Sequence, residues 1–272
     1  MHSNMHSNMN LLSWAIALLA SATAVHAAPA HQPRALHARA LHARADFTAF
    51  VGGNVTLRIM PLGASITHGD KSSDGNGYRE KLRNTLIADG NPVDMVGNNP
   101  SGNMEDNENE GWSGFRIDEV LGKAKISIPE TLPNLVLINA GTNDCGQNYD
   151  TANASARMLE MLEYIWETSR RASIVLSTLL PNGNEKSEAC VLQVNEQFKK
   201  LVEEQQAKSE KVVLVDMHSD RGPLLSDLVD GVHPNDEGYA KMATLWFEGI
   251  QDAASRGWLE SPQALPGTQQ PA

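Results

Sequence analysis

Apolar runs alternate with amphipathic segments along most of the chain. Runs of mainly apolar residues predict five strands, at residues 55–62, 93–96, 135–139, 173–179 and 212–216. Between and after them, apolar residues recur every three or four positions and predict helices at 78–88, 152–169, 188–206 and 237–253. This alternation is typical of an α/β fold, here a three-layer α/β/α arrangement around a central five-stranded parallel sheet.

The N-terminal residues lack this alternation. Residues 1–27 have the features of a secretory signal peptide, because a short apolar stretch ends in the small-x-small tripeptide Val25-His26-Ala27. Residues 28–45 contain Ala-Leu-His-Ala-Arg twice, and we interpret them as a pro-segment or as a leader that stays attached. One domain is expected at 46–258, followed by a flexible tail rich in Pro and Gln at 259–272.

Acidic residues dominate the charge of the predicted domain. Three of the 22 basic residues and none of the 33 acidic ones precede Asp46, so 19 basic residues face 33 acidic ones and the formal charge of the rest is −14. A negative surface repels nucleic-acid phosphates and anionic lipids, so neither nucleic acid nor a membrane is an expected partner. We expect a secreted, extracellular monomer that acts on a neutral or soluble partner.

Two cysteines, Cys145 and Cys190, follow the leader. In the oxidising conditions outside the cell, an even count favours one disulfide between them. A catalytic thiol is the alternative, but it needs a histidine beside it and neither cysteine has one close in sequence. Asn54 and Asn153 each begin an Asn-x-Ser/Thr pattern and are predicted N-glycosylation sites in a secreted chain.

Candidate catalytic groups follow the predicted strands. Ser65 comes after the first strand, Asn143 after the third, and Asp230 and His233 lie between the fifth strand and the last helix. Ligands of open parallel sheets bind beyond the carboxyl ends of the strands, so these remote segments are expected to converge at that edge. A serine nucleophile needs an imidazole to take its proton and, usually, a carboxylate to orient that imidazole.

Four sequence blocks carry a resemblance to a known family. They are Gly63-Ala64-Ser65-Ile66-Thr67, Glu110-Gly111-Trp112-Ser113-Gly114-Phe115-Arg116-Ile117-Asp118, Gly141-Thr142-Asn143-Asp144 and Asp230-Gly231-Val232-His233-Pro234. In these blocks the chain resembles the SGNH, or GDSL-type, hydrolase superfamily. The first three blocks most resemble the third carbohydrate esterase family, whose known activity is acetyl xylan esterase. The resemblance implies a flavodoxin-like SGNH hydrolase fold for the domain at 46–258. One departure is Ala64, where many superfamily members carry Asp.

The resemblance also implies a role for each matching residue. Ser65 would be the nucleophile, His233 the general base and Asp230 the group that orients His233. The oxyanion hole would consist of the backbone N–H groups of Ser65 and Gly114 and the side-chain amide of Asn143. Fixed donors of this kind stabilise the charge that forms on an ester carbonyl during attack. No metal or cofactor is expected.

Each backbone and amide assignment has an ordinary structural alternative. Ser65 could be a turn or cap residue, and Asn143 could close a turn through its side chain. Gly111 is the alternative donor if Gly114 does not face the oxyanion.

The base and the aromatic residues also have alternatives. Three histidines lie beyond position 42, namely His68, His218 and His233. His68 is three residues from Ser65, but we expect no carboxylate beside it on its short loop, and we expect His218 at the surface or behind the site. Three aromatic residues could stack on sugar rings or pack in the core: Trp112, Phe115 and Tyr78.

The sequence therefore predicts a secreted serine esterase that removes acyl groups. The resemblance implies O-acetyl groups on a polysaccharide or oligosaccharide such as xylan as the substrate. A lipase-like or general esterase for longer acyl chains is one alternative. A carbohydrate-binding protein that kept the scaffold but lost turnover is another.

Overall fold

The computed structural model describes residues 51–265 of the 272-residue chain. The predicted signal peptide at 1–27 and pro-segment at 28–45 lie outside the described residues. The first residues of the predicted domain and the end of its tail also lie outside them.

Parallel strands form one central sheet. They are β1 Leu57–Gly63, β2 Val93–Met95, β3 Glu110–Gly111, β4 Leu135–Asn139, β5 Ser173–Ser177 and β6 Val212–Val215. The order is β2-β1-β4-β5-β6, and β3 pairs with the end of β1. The five longer strands match the predicted ones, so the α/β fold with a parallel sheet is confirmed. The two residues of β3 were not predicted because they are too few to show an alternating pattern.

Helices cover both faces of the sheet. The long helices are α2 Arg79–Ala88, α3 Ile117–Thr131, α5 Ala154–Thr168, α6 Glu185–Ala207 and α7 Asp236–Ser255. Short helices follow β1 and β4, namely α1 Ser65–His68 and α4 Thr142–Gln147. Helix α3 was not predicted from the sequence, and it contains Pro129, a residue that usually ends a helix. Its apolar stripe was nevertheless present, since Ile117, Val120, Leu121 and Ala124 are all buried.

Two apolar clusters enclose the sheet. Successive residues of β4 alternate between them: Leu135 and Leu137 pack with α2 and α7, whereas Val136 and Ile138 pack with α3, α5 and α6. Side chains of a strand point alternately to its two faces, so both faces of β4 are buried. This packing fixes the carboxyl edge of the sheet, where β1 and β4 end.

The prediction of a flexible tail from residue 259 is wrong for its first residues. Leu259 is buried in the core. The Glu260 carbonyl accepts a hydrogen bond from the Asn134 side chain at 2.6 Å, and the Gln263 carbonyl accepts one from Arg58 at 3.0 Å. Composition suggested a tail, but it does not reveal that backbone carbonyls are bound by side chains far away in sequence.

The predicted disulfide is confirmed. Cys145 in α4 and Cys190 in α6 form a bond with their Cα atoms 5.5 Å apart. The link joins α4, which also carries Asn143, to α6, the longest helix among residues 51–265.

Replacing both cysteines with serine is expected to lower the free energy of unfolding by about 4 kcal/mol. The bridge spans a sequence separation of 45 residues and therefore restricts the unfolded chain strongly. Urea unfolding followed by tryptophan fluorescence should show a lower midpoint for the variant, and wild-type protein with a reductant should show the same shift. Equal midpoints for the oxidised wild type and the variant would contradict this expectation.

Candidate active site

The predicted catalytic segments meet at the carboxyl edge of the sheet. Ser65 is the first residue of α1, directly after β1, and only 7% of it is exposed. His233 lies 168 positions further along the chain, in the loop before α7, yet its Nε2 is 2.8 Å from Ser65 Oγ. The predicted convergence of these remote segments is therefore confirmed.

Asp230 completes a hydrogen-bonded chain of three side chains. Its Oδ2 lies 2.9 Å and its Oδ1 3.1 Å from His233 Nδ1. Oδ1 also accepts the backbone N–H groups of His233 at 2.9 Å and Val232 at 3.1 Å. Burial raises the pKa of this carboxyl, but these N–H groups and the imidazole together outweigh burial and lower the pKa to about 2. Ionised Asp230 accepts the Nδ1 hydrogen, which leaves Nε2 free to accept the Ser65 hydroxyl.

The loop that carries His233 is held from two sides. Within the loop, the Val229 N–H donates to the His233 carbonyl at 2.8 Å. From the loop after β5, the Gly183 N–H donates to the Gly231 carbonyl, also at 2.8 Å. The imidazole is thus placed before any substrate binds, which reduces the ordering needed during reaction.

Of the predicted oxyanion donors, Ser65 begins α1, Gly114 lies in the loop after β3 and Asn143 lies in α4 after β4. Both β3 and β4 pair with the end of β1. A turn at 112–115, closed by the Phe115 N–H on the Trp112 carbonyl at 3.1 Å, holds Gly114 at a φ of 85°, which favours glycine. The Asn143 side chain donates one amide hydrogen to the Phe115 carbonyl at 2.9 Å. Its second amide hydrogen remains available as a donor. Within residues 51–265, the N–H groups of Ser65 and Gly114 donate to no protein acceptor.

A buried ion pair that the sequence analysis missed supports Asn143. The neighbouring Asp144 is fully buried and accepts hydrogen bonds from Arg157 and from the Ile117 N–H. Burial raises the pKa of Asp144, while Arg157 opposes that shift. The pair joins α4 to α5 and to the start of α3. Sequence alone gave no signal for it, since Asp144 follows a predicted strand and Arg157 lies in a predicted helix 13 residues further along.

The side chains of the other two histidines are hydrogen-bonded to carboxylates and not to Ser65. The Nδ1 of His68 is 2.8 Å from Asp70 Oδ1, so the expectation that His68 lacks a carboxylate on its loop is wrong. Asp70 was overlooked because it follows a glycine whose left-handed conformation turns the chain back toward the ring. His218 is half-buried and lies with its Nε2 2.8 Å from Glu188 Oε1.

The three aromatic candidates differ in exposure. Tyr78 is wrong as a sugar-stacking residue, because it is fully buried and packs on Trp246 with ring centroids 5.7 Å apart. Trp112 and Phe115 are half-buried and stack with centroids 5.9 Å apart. The Lys123 ammonium lies 3.7 Å from the Trp112 ring centroid. A role for Trp112 and Phe115 in substrate binding stays a prediction.

Both predicted glycosylation asparagines lie at the surface. Asn54 follows a single 3-10 turn, and Asn153 ends the turn that precedes α5. Their exposure leaves the acceptor patterns accessible. Glycosylation itself stays a prediction.

Among residues 51–265, no group of three or more His, Cys, Asp or Glu side chains could hold a metal ion. No helix within the same residues is long and apolar enough to cross a membrane.

Known proteins resemble this chain in sequence and in fold. The model of the GDSL-like Lipase/Acylhydrolase family matches residues 62–241. A multidomain esterase of Ruminococcus flavefaciens is 32% identical over 244 residues, and the match covers 79% of this chain and 30% of that protein. The chain therefore spans less than a third of the length of this curated relative.

Solved structures share the fold. A Clostridium thermocellum family 3 carbohydrate esterase has a TM-score of 0.65 at 24% identity, over 74% of this chain and 98% of that one. A carbohydrate esterase family 3 structure from Talaromyces cellulolyticus has a TM-score of 0.64 at 22% identity, over 74% and 99% of the two chains. These likenesses confirm the three-layer α/β/α architecture.

Proposed function

This chain belongs to the GDSL-like lipase/acylhydrolase family, and we propose that it is a secreted serine esterase that removes O-acetyl groups from a polysaccharide or oligosaccharide through an acyl-enzyme. The observation that carries the proposal is the contact of 2.8 Å between Ser65 Oγ and His233 Nε2, with Asp230 on the other ring nitrogen. A protein that only binds carbohydrate has no need for a hydroxyl aligned with an oriented imidazole, so this arrangement favours turnover over binding.

In the first half-reaction, the Ser65 oxygen attacks the ester carbonyl carbon. The hydroxyl proton passes to His233 Nε2, which lies within hydrogen-bond reach. Asp230, whose pKa is lowered to about 2, stays negative and stabilises the imidazolium that forms. The imidazolium then gives its proton to the leaving sugar oxygen. The ester C–O bond breaks, and the acetyl group remains on Ser65.

Fixed donors stabilise the charge that develops on the carbonyl oxygen. The Ser65 and Gly114 N–H groups and the second amide hydrogen of Asn143 would supply them. Loss of one such donor in an oxyanion hole typically costs on the order of 100-fold to 1,000-fold in rate. In the second half-reaction, His233 activates water, which attacks the acetyl carbon with the help of the same donors. Acetate leaves, and the Ser65 hydroxyl is restored.

Similarity to carbohydrate esterases supports an acetylated carbohydrate as the substrate. The blocks around Ser65, Gly114 and Asn143 carry the sequence resemblance, and both solved structures named above are family 3 carbohydrate esterases. Trp112 and Phe115, which flank the tip of the Gly114 turn, keep part of their ring surface exposed. Aromatic rings of this kind combine apolar contact with little loss of conformational freedom. The disulfide fits export to an oxidising compartment.

An esterase for longer acyl chains is the second candidate, and one surface feature favours it. Leu224, Leu225 and Val229 are 43%, 56% and 57% exposed, on the segment that leads to Asp230. Exposed apolar side chains that lie together often mark a binding surface. An acyl chain longer than acetyl would have apolar contacts there.

A series of p-nitrophenyl esters separates the two candidates. We expect kcat/KM to be highest for acetate and at least about tenfold lower for octanoate, since a site shaped for a small group rejects extra methylenes. We also expect release of acetate from acetylated xylan. Leu224→Ser/Leu225→Ser should leave acetate turnover unchanged. A preference for octanoate that this double variant removes would contradict the acetylesterase and support the second candidate.

A further inference from the structure

The side chain of Asp70 links the nucleophile turn to the turn that carries Gly114. Its Oδ2 accepts the Ser113 hydroxyl at 2.8 Å, while its Oδ1 lies 2.8 Å from His68 Nδ1. Its backbone N–H donates to the Ser65 carbonyl at 3.0 Å. One residue therefore contacts both the helical turn that begins with Ser65 and the turn at 112–115.

Asp70 is itself fixed by groups behind it. The Tyr239 hydroxyl, on α7, donates to the Asp70 carbonyl at 2.7 Å. The carbonyl of the neighbouring His68 accepts hydrogen bonds from the buried Arg79 at 3.0 Å and from the Ser101 hydroxyl at 2.7 Å. The loop that presents the carboxylate is therefore held by side chains of α7, of α2 and of Ser101.

The turn at 112–115 has few other contacts at its tip. Ser113 and Gly114 are exposed, and no atom lies within 4 Å of where a Cβ of Gly114 would stand. Besides the Asp70–Ser113 bond, the tip is held by the Gln147 side chain, which donates to the Gly114 carbonyl at 3.0 Å. A backbone donor that shifts by an ångström loses much of its interaction with the transition state. The bond from Asp70 to Ser113 is thus suited to fix this donor.

We propose that Asp70 is a positioning residue of this site. Through Ser113 it holds the Gly114 N–H where the oxyanion forms, and through its N–H on the Ser65 carbonyl it keeps that donor aligned with the nucleophile. This inference rests on the proposed esterase function. The link acts on the transition state, so its loss lowers kcat and leaves KM nearly unchanged.

The test compares variants of the two bonded residues with p-nitrophenyl acetate as the substrate. We expect Ser113→Ala to lower kcat about tenfold to a hundredfold, with KM within about twofold of wild type. Ser113→Thr keeps the hydroxyl and should restore the wild-type kcat. Asp70→Ala should lower kcat at least as far as Ser113→Ala. Adding Ser113→Ala to Asp70→Ala should then cost little more, because both changes break the same bond.

Two controls separate a positioning role from general damage. Lys71→Ala changes the charge of the same loop at an exposed residue and should leave kcat unchanged. A p-nitrophenyl phosphonate that reacts with Ser65 places an oxygen in the proposed oxyanion hole. The rate of this phosphonylation should therefore fall in Ser113→Ala by about the same factor as kcat. Ser113 is exposed, so this variant remains informative even if Asp70→Ala fails to fold.

The outcomes distinguish this inference from the proposed function. Three results would overturn the positioning role and leave the esterase function standing. Ser113→Ala could keep kcat within about twofold of wild type, or Ser113→Thr could lose as much kcat as Ser113→Ala. Ser113→Ala could also lower kcat by the same factor in the wild type and in Asp70→Ala. If wild-type protein hydrolyses no ester, or Ser65→Ala hydrolyses it equally well, the proposed function fails and the inference falls with it.

Discussion

Replacing Ser65 with alanine is expected to lower kcat for an acetyl ester about a millionfold, the loss typical of removing a serine nucleophile. The change deletes one oxygen atom, whose hydrogen bond to His233 is the contact at the centre of the mechanism. Without that oxygen no acyl-enzyme can form. Any residual rate would come from the remaining donors acting on direct attack by water. Steady-state hydrolysis of p-nitrophenyl acetate measures the loss.

The control for this variant is Ser73→Ala, which removes an exposed hydroxyl from the loop that follows α1. It should retain wild-type kcat, and both variants should keep the wild-type thermal unfolding midpoint within a few degrees. Residual activity of Ser65→Ala within about a hundredfold of wild type would show that another group performs the attack.

Replacing Asp230 with asparagine is expected to lower kcat about a thousandfold to ten-thousandfold, as for other catalytic aspartates in this position. Asp230 Oδ1 accepts two backbone N–H groups, so the asparagine oxygen must take that place. Its NH₂ group then faces His233 Nδ1, where Oδ2 accepts the ring hydrogen in the wild type. A donor at this point favours the tautomer with hydrogen on Nε2. That tautomer cannot accept the Ser65 proton.

The pKa of Asp230 adds a pH expectation for the wild type. Because the pKa is lowered to about 2, the carboxylate stays ionised at mildly acidic pH and does not set the acid limit of activity.

Asp220→Asn is the charge-matched control for Asp230→Asn. It removes an exposed carboxylate and should leave kcat unchanged. If Asp230→Asn keeps kcat within about tenfold of wild type, Asp230 does not orient the base.

The architecture could be predicted from the sequence because the strands are long enough for their burial to be visible as runs of apolar residues. Every residue of β4 is buried, and such runs stand out against the polar loops around them. Helix α3 was not predicted, although its apolar stripe begins well before Pro129, which lies in its last turn. Local propensity is weak evidence wherever packing against the sheet decides the conformation.

The sequence also predicted which residues meet at the candidate site, but not the contacts that support them. Ser65, Asp230 and His233 belong to short blocks that follow predicted strands, so their meeting could be inferred from the topology of a parallel sheet. The Asp144–Arg157 pair and the Asp70–Ser113 bond depend on loop conformations and on contacts between distant elements. The sequence left Tyr78 open between sugar stacking and core packing, because aromatic character alone does not tell a buried ring from an exposed one; core packing is confirmed.

Covalent trapping of the nucleophile tests the central claim most directly. Wild-type protein would be incubated with a p-nitrophenyl phosphonate, and the modified residue located by peptide mass spectrometry while esterase activity is followed. We expect one adduct, on Ser65, that grows in proportion to the loss of activity, and no adduct at that site in Ser65→Ala. Complete inactivation with the adduct on another residue, or full modification of Ser65 with activity retained, would contradict the account.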